Sequence, residues 1–157
     1  MTTSKGEKLG QIGVMIVAIS AVAISIWQGQ LMKRHNELTV RPYFNFTHNT
    51  NTIENDKGIQ NIFEIQLANQ GYGPAIFTDY YVEIEGQRFD DWTSALAHVN
   101  ATQTMRQSSF FTENDVFAAN QKQSILRLEG FERKGNIKIF IAYKSIYEEE
   151  FTIETSF

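Results

Sequence analysis

Cysteine is absent from all 157 residues, so the chain has no disulfide, no thiolate nucleophile and no thiolate metal ligand, and redox logic leaves its compartment open. Charge is absent from one long stretch: Leu9 to Met32 contains no Asp, Glu, Lys or Arg. An excess of basic charge is missing as well. After His35 there are 10 Lys and Arg against 17 Asp and Glu, net −7, while residues 1–35 are net +3. A domain that acidic lacks the electrostatic footprint of a nonspecific DNA binder and leaves room only for a local cationic pocket.

The short catalytic and metal-binding signatures are equally thin. His35, His48 and His98 are scattered, with no carboxylate or histidine at a ligand spacing, which speaks against a metal centre. No Gly-x-Ser-x-Gly elbow occurs. Gly71-x-Gly73 is followed by Pro74 and opens no helix, so neither phosphate-loop signature is met. Asp90 with Asp91, and the run Glu148 to Glu150, are the acidic clusters from which general acid and base chemistry could come, and both fall where turns or helix starts favour solvated carboxylates. The expectation is a protein that is not an enzyme and holds no cofactor and no metal.

What is present begins with the uncharged stretch. At about 1.5 Å per residue it reaches roughly 36 Å, enough to cross a hydrocarbon core of about 30 Å with some tilt. Ala21, Val22 and Ala23 form an A-x-A triplet of the kind that ends a signal peptide, but the apolar run continues through Ile24, Ile26, Trp27 and Leu31 to the basic pair Lys33 and Arg34. A retained anchor is therefore the preferred reading, with Trp27 near one interface. Two flanking cations precede it (Lys5, Lys8) and three follow (Lys33, Arg34, Arg41), a one-charge bias that favours a cytoplasmic C-terminal domain.

At spacings of three and four, Gln11, Val14, Ala18, Ala21, Ser25 and Gln28 fall on one side of this helix, and Ile12, Met15, Ile16, Ile19, Val22 and Ile26 on the other. Large aliphatic side chains gain nothing by leaving lipid tails, whereas small residues let helix backbones approach and Ser or Gln can bond between helices. The first set is thus a candidate association seam, with Ala21, Ser25 and Gly29 adding a small-xxx-small register. It predicts a homo-oligomer in the bilayer.

The expected organisation is a polar tail over 1–8, a transmembrane helix over 9–32, a juxtamembrane segment over 33–42 and a soluble β-rich domain over 43–157. Glu37 to Phe46 has strand composition, and His48 to Gly58 reads as a polar loop. Strands are predicted around Ile62 to Asn69 and Ile76 to Glu85, joined by a turn at Gly71-Tyr72-Gly73-Pro74 where the glycines permit positive φ. Asp90 or Asp91 caps a short helix through Val99. Strands resume at Thr102 to Phe111 and Gln123 to Leu128, and the alternation Ile137, Ile139, Ile141, then Phe151, Ile153 is a hairpin. Many short strands with one helix predict an antiparallel β-sandwich or partly open barrel.

Two segments, His35 to Pro42 directly after the apolar helix and Asn69 to Ala75 after a strand, resemble those of small bacterial proteins with one N-terminal membrane anchor and a β-rich domain. The layout as a whole resembles membrane effectors of bacterial antiviral signalling, including CRISPR-associated ones that bind a cyclic oligoadenylate as an oligomer. That resemblance implies a non-enzymatic, single-pass protein of the bacterial inner membrane whose cytosolic domain binds a signal and whose helices perturb the bilayer. Arg106, Lys122, Arg127, Arg133 and Lys134 are then the candidates to meet the phosphates. The alternative is an anchored adaptor whose β domain recruits a partner protein by strand addition.

Overall fold

The computed structural model describes residues 5–55, 58–131 and 136–157. The chain divides after Thr39 into two units. The first holds α1, Lys5–Thr39, a single helix whose Lys8–Thr39 portion is long and apolar enough to cross a membrane, with no residue of its apolar window buried among the described residues. The helix runs seven residues beyond Met32. Strand composition after Glu37 is overridden there by helical continuation: Lys33 pairs with Glu37 one turn on (3.8 Å), and the Thr39 hydroxyl donates back to the His35 carbonyl (2.7 Å). Pro42 sets the limit, since it has no N–H and disfavours helical geometry at the residue before it.

The second unit, Val40–Phe157, is a β-sandwich. Its strands are β1 (Phe44–Asn55), β2 (Gly58–Asn69), β3 (Ala75–Ile84), β4 (Gln87–Phe89), β5 (Met105–Ser108), β6 (Val116–Phe117), β7 (Lys122–Glu129), β8 (Ile137–Lys144) and β9 (Glu150–Ser156), with the short helix α2 (Trp92–His98) between β4 and β5. One sheet has the order β1-β2-β7-β5, the other β4-β3-β8-β9 with β6 paired to β3, and every pairing is antiparallel. Of the two architectures the sequence allows, the sandwich is the one formed.

Alternation builds the core. In β8 each odd residue from Ile137 to Tyr143 is buried and each even one half-buried, and β3 shows the same pattern from Val82 to Ile84. Ile65, Leu67, Leu126 and Leu128 come from the first sheet; Phe77, Val82, Ile139 and Ile141 come from the second; Trp92, Ala95 and Leu96 of α2 join the same cluster. Phe44, Phe77, Phe111, Phe117 and Tyr143 form a connected aromatic group, including a stacked Phe77–Phe111 pair with centroids 4.2 Å apart. The predicted helix is present: Asp91 is its N-cap, accepting from the Ser94 backbone N–H at 2.8 Å. Glu85 and Gly86 both have positive φ (54° and 81°), the two-residue geometry that joins β3 to β4.

Two local expectations need correction. The expected polar loop from His48 to Gly58 is mostly strand, because β1 pairs with β2 in unbroken register from Phe44↔Asn69 to Asn55↔Gly58. The segment looked like a loop because its outer part is exposed on both faces, which removes the apolar alternation that marks a half-buried strand. The expected strand from Thr102 to Phe111 is shorter, opening with a 3-10 turn (Thr102–Thr104) and ending at Ser108.

Candidate interaction sites

The most tightly built feature outside the core is the junction of residues 40–43 with the Gly71–Gly73 turn. Asn69 is 1% exposed and all four of its side-chain bonding positions are used. Its Oδ1 accepts from the Tyr43 and Gly71 backbone N–H groups, both at 3.0 Å, and its Nδ2 donates to the carbonyls of Gly73 (2.8 Å) and Ala118 (3.0 Å). The Gln70 backbone N–H adds a bond to the Tyr43 carbonyl at 2.7 Å. Neither Gly71 nor Gly73 has the positive φ expected of them. They are glycine because the backbones touch: a Cβ on Gly73 would overlap the Val40 carbonyl oxygen, and one on Gly71 would overlap that of Arg41. Arg41 lies over the Phe151 ring at 4.4 Å and pairs with Glu149 at 3.8 Å. These contacts line a cleft of about 330 Å³ with Pro42, Tyr43, Tyr143 and Thr152. This is a clamp that fixes where the chain enters the sandwich.

The cations proposed for phosphate contact are placed as follows. Arg106, Lys122 and Arg127 lie in β5 and β7, while Arg133 and Lys134 fall outside the described residues. A register break between Ile65 and Gln66 inserts an extra residue into β7, which returns Arg127 to the half-buried alternation and sets it opposite Glu64 and Gln107. Arg106 and Arg127 come together across one carboxylate: Glu129 accepts from Arg106 Nε at 2.9 Å and from Arg127 at 3.5 Å. Glu64 lies close by. The Gln66 side chain foremost, then Ser124, Arg127 and Lys122, hold its carboxyl below the ordinary value against the opposing cost of burial. The surface is therefore of mixed sign, with two of its three described cations partly neutralised.

Three of the acidic residues considered for catalysis have structural partners. Asp91 caps α2, and the backbone N–H and hydroxyl of Ser94 hold its carboxyl below the ordinary range. Asp90 faces Arg88 at 4.0 Å, and Glu148 accepts from Lys144 at 2.6 Å. Asp90 and Asp91 do border a cleft of about 570 Å³ with Asp79, Tyr80, Phe110 and Glu113. The Tyr80 hydroxyl and the Trp92 indole N–H are buried without a well-formed hydrogen bond, and burial raises the Tyr80 pKa far above the phenolic range. Among the described residues no three His, Asp or Glu side chains are arranged to hold a metal ion.

In α1 the seam residues Gln11, Val14, Ala18, Ala21, Ser25 and Gln28 are all exposed, as is the aliphatic side. The Ser25 hydroxyl donates to the Ala21 carbonyl at 2.8 Å, so it is satisfied within its own helix.

One surface was not anticipated. β1 ends its sheet, and among the described residues no strand pairs with its outer side. The signal that could have found it is the length of the low-charge segment Phe44 to Ile53, which was divided between a strand and a loop. No protein-family model matches this chain, and no curated protein matches it at a significant level.

Proposed function

We propose that this protein is a non-enzymatic single-pass membrane effector: α1 anchors it in a bacterial inner membrane, its β-sandwich in the cytoplasm takes up a signal, and association of the helices perturbs the bilayer in antiviral defence. The observation that carries this reading is the two-sided character of α1, a membrane-length helix whose apolar window is unburied among the described residues and whose one side is made mostly of small and polar residues. A signal acts only through a difference in its affinity for two assembly states. Its proposed chemistry, a cyclic oligoadenylate, rests on the resemblance of layout. The ligand's phosphates would meet Arg106, Lys122 and Arg127 and would have to displace Glu129 from the two arginines.

The test is native mass spectrometry of the detergent-solubilised full chain with and without cyclic oligoadenylates of different ring size. A ligand-bound oligomer supports the reading. A monomer that retains no nucleotide and ignores added nucleotide removes it. A second reading, the anchored adaptor, is favoured by the unpaired outer side of β1, the kind of edge to which another protein's strand can add. It predicts a stable complex with a protein partner and no small molecule in the spectrum.

A further inference from the structure

The edges of the two sheets are unequal. β4 has three residues; β5 has four and a register break between Met105 and Gln107; β9 has seven and carries Glu150 and Glu154. Shortness, bulges and charge are the devices that stop a sheet edge from pairing with another chain. β1 has none of them along its first ten residues. It is twelve residues long, keeps one register throughout, and from Phe44 to Ile53 contains no charged residue and no proline. It also outruns its support, because β7 pairs with β2 only as far as Ile62, leaving the outer part of the β1–β2 ribbon, among the described residues, as two strands alone. Such a ribbon gains from a third strand.

We propose that β1 pairs antiparallel with β1 of a second copy of this chain, joining the two sheets across a two-fold axis. Charge selects the place at which two copies can meet. Residues 40–157 carry 10 Lys and Arg against 16 Asp and Glu, net −6, so two copies repel through most of their surfaces, and β1 is a length of edge along which they meet without like charges. Self-pairing is stricter than pairing with a foreign strand, because every side chain meets one from the same sequence. The one charged residue, Glu54, lies near the end of the strand. With the axis at His48 or Asn49, Glu54 of one copy falls opposite Pro42 or Phe44 of the other and never opposite itself. Side chains directly opposite one another share a face, so the axis passes through a residue and not between two. With the axis at Asn49, the two Phe44 positions lie about 34 Å apart at roughly 3.4 Å per residue. The contact thus sets the two Phe44 positions well apart, and it uses none of the residues of the helix seam.

Because the chain contains no cysteine, single substitutions each introduce one thiol. Full-length Thr47→Cys, His48→Cys, Asn49→Cys and Thr50→Cys, oxidised in the membrane, should give disulfide-linked dimers with a sharp maximum at one position and at least a tenfold lower yield two residues away. Gln103→Cys, far along the chain on the 3-10 turn, serves as the collision control. Adding Thr47→Lys and Asn51→Lys, which meet across an axis at Asn49, should abolish the cross-link, with an unchanged circular dichroism spectrum showing that the fold survives. A flat yield across β1 equal to the control overturns the proposal. So does a cross-link to a different protein, which would assign the edge to an adaptor. Ala21→Leu with Ser25→Leu should leave the β1 cross-link intact whether or not the seam associates.

Discussion

α1 and the β-sandwich contain the same kinds of apolar side chain and place them in opposite surroundings. Leu9, Val14 and Trp27 of the helix are 73, 72 and 61% exposed, while Ile65, Leu67 and Ile139 of the sandwich are at 0%. The helix satisfies its backbone internally and leaves its side chains to a solvent that the chain does not supply, which is the condition of a membrane span. The sandwich supplies its own apolar interior. Substitutions should therefore act through different quantities in the two regions: folding stability in the sandwich, membrane residence and association in the helix.

The largest effect should come from Trp92→Ala, which empties a large site at the α2 end of the core. We expect a loss of about 3–5 kcal/mol in denaturant unfolding of the sandwich followed by near-ultraviolet circular dichroism. Asn69→Ala comes next. It orphans two buried N–H groups and two carbonyls around the clamp, and should cost about 2–4 kcal/mol given roughly 1–3 kcal/mol per unsatisfied group and partial access of water. A loss below about 1 kcal/mol would mean that the clamp holds without its hub.

Asp91→Ala removes a helix cap and should cost about 1 kcal/mol at neutral pH. Because the Ser94 backbone N–H and hydroxyl hold the folded-state Asp91 carboxyl below the ordinary aspartate value, its contribution is fully present above that ordinary value and fades as pH falls through the folded one. The difference between variant and parent should therefore shrink in acid, and a constant difference down to the end of the titration would show that the charge plays no part. At the small end, Ile19→Ala on the aliphatic side of α1 should move sandwich unfolding by less than about 0.5 kcal/mol. A larger shift would mean that the two units are energetically coupled, which would break the comparison.

The features legible in the sequence were those whose cause is local. An uncharged run of membrane length needs no partner to be recognised, and neither does the strict alternation at Ile137, Ile139 and Ile141 that became β8. Asp91 as a cap is a relation spanning three residues. What was missed depends on distant contacts. The outer half of β1 is strand because β2 pairs with it, although its Asn and Thr side chains see water on both faces. Gly71 and Gly73 were identified as special, but their reason is the passing backbone at Val40 and Arg41, roughly thirty positions earlier in the chain. Arg127 and Glu129 stand two apart on one strand, but the reach of Arg106 from the neighbouring strand to the same carboxylate is a relation that no spacing rule connects.

The central claim is that α1 resides in lipid and associates through its small and polar side. The most direct measurement is the copy number of the full-length protein reconstituted in lipid nanodiscs, compared between the parent chain and Ala21→Leu with Ser25→Leu. An oligomer that the double substitution reduces by at least tenfold in population, with the sandwich still folded, is the predicted result. A parent chain that is monomeric in lipid, or a seam variant that assembles as the parent does, would contradict it.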